Sequence, residues 1–200
     1  MSELPLPLTI GLKVLQLGDS ALKDSQGRSA GFLRRGGLGS TETRVTGPSG
    51  DLLATLEDDN AFPQKLTRHK TTLFDASGQR IGLVVCANLV TSNLGRLRAD
   101  VHDASGRLRF TFAADRLWLS WLREALEEVP GLDMAKSFFA LPGYTLKRPD
   151  GSAAAKLVRL PALLDGSYRI EAVGALRGTD RTLATLALLA LSDLELMMEV

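Results

Sequence analysis

The side chains in this chain that could perform nucleophilic or metal chemistry are few: two histidines, His69 and His102, and a single cysteine, Cys86, beside the carboxylates and hydroxyls. A structural or catalytic zinc site needs three or four donors, and neither histidine has a partner at ligand spacing. Ser20, in Gly18-Asp19-Ser20-Ala21-Leu22, is a candidate nucleophile. It would need His69 or His102 as its base through a shared pocket, and a turn between two N-terminal strands is the plainer account. Ser49, in Gly47-Pro48-Ser49-Gly50, lacks the second glycine spacing of a nucleophile elbow and reads as a turn. Asp58-Asp59-Asn60 lacks both the glycine and the closing glutamate of a calcium loop. Cys86, flanked by Val84, Val85 and Ala87, reads as inert core. The expectation is no catalytic residue, no metal ligand and no cofactor.

Binding chemistry is better represented. The densest basic cluster is Lys65-Leu66-Thr67-Arg68-His69-Lys70. Arg34 and Arg35 precede the glycine-rich loop Gly36-Gly37-Leu38-Gly39-Ser40-Thr41, whose N–H groups could cradle an anion. That loop has no Walker lysine and opens no helix, so a flexible inter-strand loop is its plainer account. Lys65, Arg68, His69, Lys70, Arg34 and Arg35 are therefore the candidate residues for an anionic headgroup. The bland alternative for the first four is a solvated strand edge, where lysines discourage edge pairing. Trp118 and Trp121 form the other candidate, a surface for a protein partner or for self-association. Their bland alternative is a helix packed against the core.

The elements that position these residues follow from alternation and turn chemistry. Thr72-Leu73-Phe74-Asp75-Ala76-Ser77-Gly78 and Asp100-Val101-His102-Asp103-Ala104-Ser105-Gly106 each run a strand into the same Asp-Ala-Ser-Gly loop. The aspartate can hydrogen-bond forward to the backbone, and the glycine supplies the positive φ that lets the strand return. Looser copies stand at Asp24–Gly27, Gly47–Gly50 and Arg148–Gly151. Strands are predicted near 10–17, 20–24, 28–35, 41–46, 51–57, 68–75, 79–86, 96–103, 107–114, 143–148, 152–160 and 167–173. On period-two alternation, Ile81, Leu83 and Val85 form one face, as do Leu97, Ala99 and Val101, and Leu108, Phe110 and Phe112. An amphipathic helix is predicted near 115–129, ended by Pro130-Gly131. A second helix, near 180–197 with Thr179 or Asp180 as its cap, is apolar on every side from Leu183 to Leu191. Such a helix must be buried on every side, and threading it through a closed sheet achieves that while removing the sheet edges. The predicted fold is mainly β: a closed antiparallel barrel of about twelve strands around a buried C-terminal helix. One domain would span 1–200, with a tail at 1–9 and a helical insertion at 115–131.

With 44% hydrophobic residues a sizeable core is available, and a net charge of +1 gives no broad pull toward nucleic acid, so none is expected as a partner. One cysteine excludes an internal disulfide framework. The N-terminus lacks a basic region ahead of an apolar stretch, and Leu183–Leu191 is half the length of a spanning helix. A cytoplasmic location is expected, peripheral to a membrane if a headgroup is the ligand.

The repeated Asp-x-x-Gly hairpins resemble those of the tubby C-terminal-like superfamily. So does the final strand Tyr168-Arg169-Ile170-Glu171-Ala172-Val173, followed by Asp180-Arg181-Thr182-Leu183-Ala184 and an apolar helix ending near Asp193. The LURP-one-related and phospholipid-scramblase-like branches are the nearest in pattern, over roughly residues 12–196. The resemblance implies a closed barrel of about twelve strands around its C-terminal helix and little chemistry: scramblase-like members are linked to phospholipids, and many LURP-one-like members have no assigned activity. Tubby-like members hold phosphoinositides through exterior basic side chains, but no position of this chain is matched to them. Scramblase-like members place an acid-rich calcium segment before the last helix; here Gly174–Asp180 contains only Asp180. Gly18–Leu22 is also similar to the nucleophile block of GDSL-type lipases, which implies a late histidine, and none follows His102. A non-enzymatic ligand- or partner-binding barrel of unassigned activity is thus the expectation, with a phospholipid or other anionic headgroup as one candidate ligand. An interaction module using Trp118 and Trp121 is the alternative, and a serine hydrolase the remote one.

Overall fold

The computed structural model describes residues 4–12, 19–36, 40–59, 69–86, 98–114, 143–160 and 166–198. Twelve strands run β1 Leu8–Leu12, β2 Ser20–Lys23, β3 Ser29–Arg35, β4 Glu42–Thr46, β5 Leu52–Asp58 and β6 His69–Asp75, then β7 Arg80–Cys86, β8 Ala99–Asp103, β9 Leu108–Ala114, β10 Tyr144–Lys147, β11 Ala153–Leu160 and β12 Gly166–Ala172. Every neighbour in sequence is a neighbour in space, all pairs are antiparallel, and β1 closes on β12. The barrel has no free edge. One helix, α1 Gly178–Met198, follows β12. The predicted fold class is confirmed. The sequence-based boundaries place β1 two residues late, and Thr179 and Asp180, predicted as caps, lie inside the first turn of a helix that begins at Gly178. The predicted helix at 115–129 lies outside the described residues.

The Asp-Ala-Ser-Gly loops close β6–β7 and β8–β9 as predicted. Gly78 and Gly106 sit at φ 81° and 82°. Asp75 Oδ1 accepts the Ser77 N–H at 2.9 Å, the Ser77 hydroxyl at 2.6 Å and the Gln79 N–H at 3.0 Å. Asp103 repeats the set with Ser105 and Arg107 at 3.0, 2.6 and 3.1 Å. These two turns and those of β2–β3, β4–β5 and β10–β11 all lie at one end of the barrel, the end at which β12 finishes and α1 begins. The other six connections leave from the opposite end.

The helix fills the interior. Leu183, Ala184, Leu186, Ala187, Leu188, Leu189, Ala190, Leu191 and Leu194 are all buried, as the absence of a polar stripe requires. Around it the wall presents Leu8, Ile10, Leu22, Leu33, Val45, Leu56, Leu73, Val84, Val101, Phe110, Phe112, Leu146, Leu157 and Ile170. Burying one such leucine contributes about 1.5–3 kcal/mol, so this single core dominates stability. Two faces differ from the alternation. In β7 the inward set is Gly82, Val84 and Cys86, while Ile81, Leu83 and Val85 are half-buried. Gly82 faces the helix: a Cβ there would meet the Leu183 side chain, and the His102 carbonyl at 2.7 Å, so only glycine leaves α1 room. In β9, Leu108 is exposed although Phe110 and Phe112 point inward, because the register shifts between Val101 and His102.

Candidate functional site

The exterior wall over β3–β6 carries a cluster of polar and charged side chains around a groove. Alternation puts Arg34 outward on β3, Glu42, Arg44 and Thr46 outward on β4, Thr55 and Glu57 on β5, and Phe74 on β6. The register then aligns them across the strands. Arg34 stands opposite Arg44, Arg44 opposite Thr55, and Thr55 opposite Phe74. One step along, Glu42 stands opposite Glu57. These side chains, with Leu52 and the turn glycines Gly50 and Gly78, line an open groove of about 490 Å³. Arg34 reaches Asp19 at 3.3 Å and lies 5.9 Å above the Phe32 ring. Arg44 Nε holds Glu42 Oε1 at 2.5 Å. Glu57, exposed, has no ion-pair partner among the described residues. Thr46 is 5% exposed, and its hydroxyl has no hydrogen-bond partner among the described residues.

The sequence-based candidates divide. Arg34 belongs to the groove. Arg35, next along β3, turns the other way, with its guanidinium Nε and Nη2 buried. His69 is 2% exposed and inward-facing, so it does not share a surface with Lys70, which is half-buried on the outer face of β6. Period two separates adjacent residues of a strand onto opposite faces, so a basic run in sequence is not a basic patch in space. Lys65 and Arg68, like Trp118 and Trp121, lie outside the described residues. Arg44 carried no signal as a site in the sequence. Its place beside Arg34 comes from the β3–β4 register alone.

The inward layer at the end of the long connections is polar. Thr71 Oγ1 donates to Asp58 Oδ1 at 2.7 Å and lies 2.9 Å from His69 Nε2, which is 3.3 Å from the same carboxylate oxygen. Cys86 pairs across from His69, and burial first, then Asp58 and Asp59, pushes its thiol up to about 12. Burial of this kind favours the protonated thiol, and the position belongs to the core. No group of three His, Cys, Asp or Glu side chains that could hold a metal occurs among the described residues. Ser20 is buried on the inward face of β2, whereas His102 lies on the outer face of β8 with Nδ1 at 3.2 Å from the Gly106 carbonyl. Among the described residues no helix is long and apolar enough to cross a membrane.

No protein-family model matches the sequence, and no curated protein matches it. Among solved structures, the X-ray structure of the Arabidopsis thaliana protein AT5G01750 is similar in fold. The TM-score is 0.53 at 13% identity, over 96% of this chain and 94% of that one. The likeness extends along nearly the whole of both chains and concerns the barrel architecture.

Proposed function

We propose that this barrel is a non-enzymatic binding module of the LURP-one-related, scramblase-like kind, and that its ligand is an anionic phospholipid headgroup. The observation that carries this reading is the direct opposition of Arg34 and Arg44 on the outer wall, within an open groove. Two guanidiniums side by side can grip one phosphate by paired charge-assisted hydrogen bonds. A phosphate on the groove would also offset the repulsion between them. Ser20 and His102 stand on opposite faces of the sheet, which disfavours His102 as a base for Ser20. The protein would then be cytoplasmic and peripheral to the bilayer, held by surface charge without a spanning helix.

Vesicle flotation tests the proposal. Wild type is expected to float with vesicles containing anionic lipid at low salt and to remain behind with neutral ones. Arg34→Ala and Arg44→Ala should each weaken partition by about fivefold, since one basic residue at an anionic surface contributes about 1 kcal/mol. Absence of flotation at low salt sinks the headgroup reading.

A further inference from the structure

The groove holds two like-charge pairs, not one. Arg34 faces Arg44 across β3 and β4, and Glu42 faces Glu57 across β4 and β5. Like charges directly opposite one another destabilise a sheet, so two such pairs side by side on one wall need an account. Internal pairing relieves them only in part. Arg44 takes Glu42, and Arg34 takes Asp19 at 3.3 Å, but Glu57 is left with no cation among the described residues. The groove therefore presents a cationic side and, two strand residues or about 6.6 Å along, an anionic side. At its edge the Thr46 hydroxyl, buried at 5% exposure, has no hydrogen-bond partner among the described residues, although buried polar groups in folded proteins nearly always have one.

We infer that this groove selects a headgroup that carries a primary ammonium beside its phosphate, of the phosphoserine or phosphoethanolamine class. The phosphate sits against Arg34 and Arg44, and the ammonium against Glu57. This rests on the headgroup reading above and adds a second charge to what the site recognises. A phosphate without an amine would satisfy the guanidiniums but leave Glu57 facing it, a repulsive contact that discriminates against the wrong ligand. An ammonium placed there supplies the counter-charge that Glu57 lacks among the described residues.

The test compares vesicles of equal charge: phosphatidylcholine carrying the same fraction of phosphatidylserine or of phosphatidylglycerol. Wild type should prefer phosphatidylserine by a factor of roughly two to five, the range of an exposed ion pair. Glu57→Gln should remove the preference, lowering phosphatidylserine binding and raising phosphatidylglycerol binding toward a common value, because the attraction for the amine and the repulsion of the bare phosphate leave with the same charge. Equal binding of both lipids by wild type overturns the inference while the headgroup reading stands; binding of neither overturns that reading. Calorimetric titration with free phosphoethanolamine and with glycerol 3-phosphate separates a lipid from a soluble source. Preference for the amine in solution, without vesicle binding, assigns the same chemistry to a soluble phosphate, and no preference in either format rejects the proposal.

Discussion

At the scale of single residues, Asp75 and Asp103 show how much one carboxylate can organise. The Ser77 hydroxyl, and then the Gln79 and Ser77 N–H groups, hold Asp75 below the ordinary aspartate value of 3.8. Ser105 and Arg107 do the same for Asp103. A carboxyl whose folded value is depressed contributes its full stabilisation above 3.8 and loses it as pH falls through the lower folded value. The Asp75→Asn/Asp103→Asn double variant keeps the acceptor oxygens but not the charges. Its urea midpoint, followed from neutral pH into acid, should fall less steeply than that of wild type below pH 3.8. A parallel fall in both proteins would remove the two turns from the acid response. These turns were legible in the sequence because everything that makes them lies within five residues. His69 and Arg35 were not legible. Which face a strand residue takes depends on the register of the whole barrel, and a basic neighbourhood in sequence does not carry that information.

At the scale of elements, β7 and α1 are fitted to each other. Both faces of β7 are apolar, with Ile81, Leu83 and Val85 on one side and Val84 and Cys86 on the other, so alternation could not choose the inward one. The helix chose it. Gly82 is the point of closest approach, where any side chain would strike Leu183 and the His102 carbonyl. Gly82→Val is expected to cost about 1–3 kcal/mol by overpacking, read as a lower urea midpoint. Leu183→Ala alone should cost about 2–5 kcal/mol. Combined, the two should cost less than their sum, because shortening Leu183 relieves one of the two clashes. Strict additivity would show that the helix is not seated against β7 as described. The apolar character of α1 was evident from Leu183 onward; its fit to one particular glycine was not, because that contact joins positions a hundred residues apart in sequence.

At the scale of the whole molecule, closure is the governing fact. A barrel with no free edge offers no place to peel a strand away, and its core is shared by all twelve strands and one helix. Cys86, 3% exposed on an inward face, can therefore serve as a reporter of global opening. Its reaction with a disulfide reagent should be suppressed in the native protein and should track the unfolding equilibrium as urea is raised. Rapid labelling without denaturant would mean that this end of the wall opens on its own. The sequence by itself determined the repeated turns, the core position of the cysteine and a helix that must be buried on every side, and with them the barrel class. Each follows from local hydrogen bonding or from hydrophobicity, which act at short range along the chain. The tertiary structure alone decided which strands pair in which register. It thereby brought Arg44 beside Arg34 and Glu57 beside Glu42, a groove assembled from β3, β4, β5 and β6. Charge recognition depends on distances across strands, and those distances exist only once the barrel has closed.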